Sequence, residues 1–171
     1  RSTMGRDRMS QEYLMGIDLG TLGCRSIIFD LTGRDIGRAY QGLTVHSPKT
    51  GWSEQDPEEW WRAVIQTVRR AVAGAKIKTN KIACVGLTSQ QMSIVLIDSR
   101  GRALRPAILW MDRRSIPECT WIKSRINNGR IYDITGLRVE PNYSASKILW
   151  VKKNERSTYN RAFKILSPKD Y

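Results

Sequence analysis

At Asp56-Pro57 the hydrophobic period of the chain changes, and no other feature constrains its fold as much. Downstream, Trp60, Trp61, Val64, Ile65, Val68, Ala71 and Val72 recur at the spacing of an α-helix with one wide apolar face. Asp56 is placed as its N-cap, Pro57 as its first helical residue and Glu59 as the partner in a capping box, while Gly74 lies near the expected stop. Upstream, short β-branched and aromatic runs predict strands over 13–18, 24–30 and 35–45. The turns between them, Gly20-Thr21-Leu22-Gly23 and Thr32-Gly33-Arg34, are short enough for an antiparallel meander. After the helix, 81–88 reads as a buried strand, and 93–97 and 107–110 as two more. Helical patterns follow over 116–127 and 144–154, then an apolar run over 163–166. A βββ-α-β order with mixed elements after it predicts an α/β fold rather than a bundle or a sandwich.

With 171 residues, 40% of them hydrophobic and 26% charged, such a chain can bury a core without staples. Residues 1–11 are polar and basic and read as a disordered lead or an expression remnant, leaving 12–171 as one domain. Cys24, Cys84 and Cys119 are odd in number and form no C-x-x-C pair, which argues against a disulfide framework or a cysteine zinc site. A single histidine, His46, gives a histidine-rich metal site nothing to use. No apolar run approaches the ~20 residues needed to span a bilayer, so a cytoplasmic location with no membrane partner is expected. The net charge of +13 is spread in pairs at most, without a zinc-finger or RNA-binding pattern, and predicts a solvated surface and no nucleic-acid partner.

Three segments could carry chemistry. In Asp18-Leu19-Gly20-Thr21-Leu22-Gly23-Cys24-Arg25, an acid ends a strand and a glycine-bearing turn follows. Backbone N–H groups around Gly20, Thr21, Leu22 and Gly23 can approach a phosphate, the Thr21 hydroxyl adds a donor, and Arg25 adds a fixed positive charge. Asp18 would hold Mg²⁺ directly or through its waters. The plainer alternative is a hairpin whose glycines supply positive φ and whose aspartate caps the turn. In Gly86-Leu87-Thr88-Ser89-Gln90-Gln91-Met92-Ser93, amides at a strand end suit a ligand rich in hydroxyls, and equally suit a solvated connection. Trp110 could stack on a sugar ring or fill the edge of a core. Neither a P-loop nor a dinucleotide fingerprint is present.

Taken together, these segments resemble the N-terminal part of the FGGY-type carbohydrate kinases, the group of glycerol kinase and xylulokinase. The matching stretches are Gly16-Ile17-Asp18-Leu19-Gly20-Thr21 with Arg25, Gly51 to Trp61, Gly86 to Gln90, Ala107 to Arg114, Thr135-Gly136-Leu137 and Pro168-Lys169-Asp170-Tyr171. They run in family order from about Leu14 to the last residue. The resemblance implies a ribonuclease-H-like (actin-like ATPase) domain, a mixed sheet flanked by helices. It also implies ATP and Mg²⁺ as cofactors and phosphorylation of a sugar or polyol in a cleft between two such domains. On that reading the chain is incomplete, the catalytic base lies beyond Tyr171, and no catalytic residue falls within it. Asp112 and Asp170 are poor candidates for the base.

The resemblance assigns Asp18, Gly20, Thr21, Leu22, Gly23 and Arg25 to metal and phosphate, and Gln90, Gln91, Met92, Trp110 and Asn142 to the acceptor. It allows a homo-oligomeric full-length enzyme. Glycerol kinases resemble one another in carrying Arg-Glu where this chain has Gln91-Met92, and xylulokinases tend to carry Met-His. Asn142 stands where glycerol kinases place a tyrosine. A ketose such as a pentulose, or a longer polyol, is therefore expected as acceptor ahead of glycerol. The rival expectation is a non-catalytic binding module that keeps the half-fold.

Overall fold

The computed structural model describes residues 13–171, so the lead expected over 1–11 lies outside the described residues. The described chain divides into two compact units, residues 13–44 with 59–89, and residues 45–58 with 90–171.

The first unit is built on a four-stranded mixed sheet. Strands β1 (Tyr13–Leu19), β2 (Gly23–Asp30) and β3 (Asp35–Gly42) form the expected meander, and β5 (Ile82–Ser89) joins β1 in parallel, giving the order β3-β2-β1-β5. The turn between β2 and β3 is closed by its own residues: the Asp30 carboxylate accepts from the backbone N–H of Thr32 (2.9 Å) and of Arg34 (3.0 Å). Helix α1 (Pro57–Ala75) covers one face of the sheet, burying Met15, Ile28 and Ala39 against Ala71. On that face Thr67 accepts from the Ser26 hydroxyl at 2.8 Å and itself donates to the Ala63 carbonyl. Among the described residues, no side-chain nitrogen or oxygen buried on that face lacks a partner, as a low-dielectric contact requires.

Close approach of helix to sheet depends on Gly37. A Cβ at that position would lie 2.6 Å from the Ala71 carbonyl oxygen and 2.7 Å from Ala75. The helix starts as expected, with Asp56 Oδ1 accepting from the Glu58 N–H at 3.0 Å. Its end also falls near Gly74 as expected, at Ala75, and Lys76, with φ 54°, takes the left-handed terminating conformation. The expectation of a buried strand over 81–88 is corrected. Residues 83–88 are exposed, with Val85 at 53% and Leu87 at 47%, because β5 is an edge strand paired only with β1 among the described residues.

The second unit holds two short antiparallel ribbons, β4 (Glu54–Gln55) with β7 (Ala107–Ile108), and β6 (Val95–Ile97) with β8 (Lys164–Leu166). Its helices are α2 (Ile116–Arg125), α3 (Asn128–Thr135), α4 (Ser144–Asn154) and α5 (Arg156–Arg161). Helices α3 and α5 are additions to what the sequence pattern predicts. Ile94, Leu96 and Ile108 meet Val151 of α4 in the core.

Beside that core sits a buried ionic cluster. Arg114 is bound to Asp112 (Nη2 to Oδ2, 2.8 Å) and to Glu54 (2.7 Å), and Arg105 is bound to Glu54 and to Glu155 (2.8 Å to the latter). The Arg114 guanidinium lies 3.7 Å from the centroid of Trp52 and 5.0 Å from that of Trp150. Shared carboxylates and aromatic faces offset the desolvation of these charges. Among the described residues no helix is long and apolar enough to cross a membrane.

Candidate functional site

In the first unit, strand register builds one end of a groove. Asp18 of β1 faces Arg25 of β2 across the antiparallel pair and Thr88 of β5 across the parallel one. All three line an open groove of about 460 Å³, floored by Gly16 and Gly86 and walled by Ile17, Ile27, Phe29 and Leu87. The glycines of the β1–β2 turn do not have positive φ. Their smallness serves packing instead. A Cβ on Gly20 would press on the Gly23 carbonyl at 3.3 Å, and one on Gly23 would lie 2.5 Å from Tyr40 Cε2 and closer still to the hydroxyl. Tyr40 in turn donates to the Leu22 carbonyl at 2.8 Å and lies under the Arg25 guanidinium, 5.8 Å from ring centroid to Cζ.

Asp18 is exposed, and among the described residues its carboxylate takes no hydrogen bond from the turn. An aspartate that capped the turn would be spent on it. Asp30 and Asp98 show this in their own turns, where hydrogen bonds from Thr32 and from the Arg102 backbone respectively lead in holding each carboxyl below its ordinary value. A carboxylate left available beside a fixed arginine and a threonine hydroxyl fits a hydrated Mg²⁺ with a phosphate, because Mg²⁺ keeps most of its waters and needs only one or two protein carboxylates. Leu22 projects outward, 71% exposed. Behind the turn, burial pushes the Cys24 thiol up, helped least by the Asp18 charge, so it is a packed thiol and not a nucleophile.

In the second unit, hydrogen bonds join the loop after β5 to two other segments. Gln90 is buried, donating from Nε2 to Gln55 Oε1 (3.0 Å) and accepting at Oε1 from the Ser93 hydroxyl (3.2 Å). Ser93 Oγ accepts from the backbone N–H of Trp110 at 3.0 Å. Lys147 of α4 then donates to the carbonyls of both Met92 (3.1 Å) and Asn142. Gln91, Met92 and Trp110 are left exposed on this frame, Met92 at 36% and Trp110 at 38%, and Asn142 is half-buried. The structure therefore brings Gln91, Met92, Trp110 and Asn142 onto one knitted set of loops, while the Gln90 amide faces inward to hold it.

Thr88, Ser93 and Lys147 are absent from the sequence-based set of site residues. Thr88 carried a signal, since it ends the Gly86-Leu87-Thr88 stretch, but only parallel pairing puts it beside Asp18. Asp112 is fully buried and bound to Arg114 and to the Ser53 N–H (2.6 Å). Asp170 accepts from the Ser167 hydroxyl in a terminal turn (2.6 Å). Both are structural. Among the described residues no group of three or more His, Cys, Asp or Glu side chains could hold a metal by itself.

Residues 13–171 match the FGGY family of carbohydrate kinases, N-terminal domain. The chain is 38% identical to the xylulose kinase of Escherichia coli over 157 residues, 92% of this chain and 32% of that one. It is 39% identical to the glycerol kinase of Trichormus variabilis over 143 residues, 83% and 29% of the two chains. The crystal structure of a xyloylose kinase from Brucella ovis superposes with a TM-score of 0.87 at 36% identity, covering 93% of this chain and 33% of that one. The chain thus spans about a third of the length of the relatives it matches.

Proposed function

The chain belongs to the FGGY family of carbohydrate kinases, with the actin-like ATPase fold of that family, and from this we propose that it serves ATP-dependent transfer of a phosphoryl group to a hydroxyl of a sugar or polyol. The observation that carries the reading is the Asp18–Arg25–Thr88 cluster, an uncommitted carboxylate beside a cation and a hydroxyl at the end of a glycine-floored groove. Phosphoryl transfer asks mainly for positioning and for neutralisation of charge. Asp18 would hold hydrated Mg²⁺, Arg25 would face phosphate oxygens, and the turn N–H groups from Gly20 to Gly23 with the Thr21 hydroxyl would orient them. Mg²⁺, when bound, supplies charge neutralisation at the phosphate oxygens. The base that accepts the hydroxyl proton is not assigned to any residue of this chain.

On the acceptor side, Gln91 and Asn142 would bind hydroxyls and Trp110 would present a ring face. Met92 would form an adaptable apolar wall. Gln90 would act from behind, through Ser93. This composition supports a ketose such as a pentulose, or a longer polyol, over glycerol; similar identity to a xylulose kinase and a glycerol kinase leaves the choice to these residues. A soluble cytoplasmic enzyme with no nucleic-acid partner is part of the same proposal. The test is a panel on the full-length protein, comparing kcat/KM for glycerol, pentuloses, hexuloses and four- to six-carbon polyols. Asp18→Ala is expected to lower turnover at least a hundredfold with Mg²⁺ present and leave the fold intact. If glycerol leads the panel, the acceptor assignment fails; if Asp18→Ala stays within tenfold of wild type, the phosphate assignment fails.

A further inference from the structure

Lys147 is fully buried in the first turn of α4, where the helix macrodipole is positive and a cation is least welcome. Nothing in the helix explains it there. Its ammonium instead reaches out of the helix to two carbonyls fifty residues apart in sequence, those of Met92 and Asn142. Met92 has φ 62°, a left-handed backbone that a non-glycine residue keeps only when its surroundings hold it. Four residues on, Val151 is also fully buried, so the same face of α4 fixes Lys147 against the core formed by Ile94, Leu96 and Ile108.

We propose that Lys147 is a positioning residue for the acceptor, a buried clamp that holds the Met92 and Asn142 loops at one spacing and keeps the Met92 side chain turned outward. The inference rests on the assignment of Gln91, Met92 and Asn142 to the acceptor side. A hydrophobic residue of similar length would fill the space and leave two carbonyls without their donor. Burial lowers the Lys147 pKa to about 8, with Asp112, in the loop after β7, and Cys119, on α2, as the facing groups that raise it. Above that pH the clamp loses its proton, and two charge-assisted bonds become neutral and weaker.

The experiment is steady-state kinetics of the full-length protein across pH 6.5–9.5, with KM measured separately for the best panel acceptor and for ATP. In the wild type, acceptor KM is expected to rise severalfold as pH climbs past about 8, while KM for ATP stays flat; the variant decides the proposal whatever the wild-type profile. Lys147→Met, checked for folding by circular dichroism, is expected to raise acceptor KM at least tenfold and abolish that pH dependence, with KM for ATP within twofold. Equal losses in both KM values, or in kcat alone, would mark a general structural role and refute the clamp. Gln91→Ala and Met92→Ala separate the two layers of the argument. If they alter discrimination among acceptors and Lys147→Met does not, the clamp is wrong and the acceptor site stands. If none of the three alters it, the acceptor assignment itself is wrong.

Discussion

Two glycines in the same sheet should respond to the same substitution to very different extents. At Gly37, an added methyl would meet the backbone carbonyl of Ala71 at 2.6 Å and the backbone nitrogen and Cβ of Ala75 at 2.7 Å. None of these atoms can rotate away, so strand and helix must separate along a contact that buries Met15, Ile28, Ala39 and Ala71. Overpacking of this kind costs about 1–3 kcal/mol, and a backbone obstacle puts Gly37→Ala at the upper end. Reduced chain entropy of the unfolded state returns about 0.5 kcal/mol, leaving a net loss of about 2 kcal/mol. At Gly23 the obstacle is the far end of Tyr40, a half-exposed ring that can swing out. The substitution then costs roughly the one hydrogen bond from Tyr40 to Leu22, about 1 kcal/mol, about half of it offset by the same entropy gain. Urea unfolding of both variants, followed by far-ultraviolet circular dichroism, reads the difference directly. A Gly37→Ala protein within 0.5 kcal/mol of wild type, or a Gly23→Ala protein less stable than Gly37→Ala, would refute the reasoning from contact atoms.

Arg105→Met should destabilise by about 3 kcal/mol in the same assay, because it strips a buried partner from Glu54 and Glu155. Arg102→Met, which breaks a pair whose arginine side chain is 68% exposed, should change stability by less than about 1 kcal/mol. The Lys147 pKa is lowered from 10.5 to about 8, so between those values the unfolded chain binds more protons than the folded one and stability rises with pH. The stability of wild type relative to Lys147→Met should accordingly grow by about 2 kcal/mol from pH 7 to pH 10, and a constant difference would place the folded-state pKa near its ordinary value. The 171-residue chain alone should show no ATP-dependent phosphorylation of any panel acceptor above contaminant controls; turnover by the purified chain would contradict the absence of an assigned base.

Local chemistry was legible in the sequence and tertiary consequence was not. The start of α1 could be read because Asp56 and Pro57 act within one turn, and the meander because its turns are short. Its end could be placed near Gly74 but not fixed to a residue, since no local rule selects Lys76 for the left-handed stop. Strand β5 had the right residues, but whether a strand is central or an edge depends on partners far away in sequence. Helix α3 had readable signals, Asn127 accepting from the Gly129 N–H (2.8 Å) and Gly136 at φ 69°, yet its eight residues carry too few apolar positions to show a period. At the site, Asp18 and Arg25 stood out as a charged pair flanking a small-residue turn. Lys147 did not, because a lysine on a helix reads as a solvated one until burial is known.

The left-handed backbone of Met92 also sets limits on how this protein can diverge. A branched Cβ is badly strained at φ 62°, so valine, isoleucine and threonine are closed to that position, whereas glycine, asparagine and unbranched side chains remain open. Its neighbour Gln91, exposed and without a positive φ, carries no such bar against branched side chains. If these residues face the acceptor as proposed, drift or directed evolution toward a new one would meet fewer backbone limits at residue 91. Residue 92 would offer only a few discrete steps, each a change in side-chain length or polarity and never one in branching.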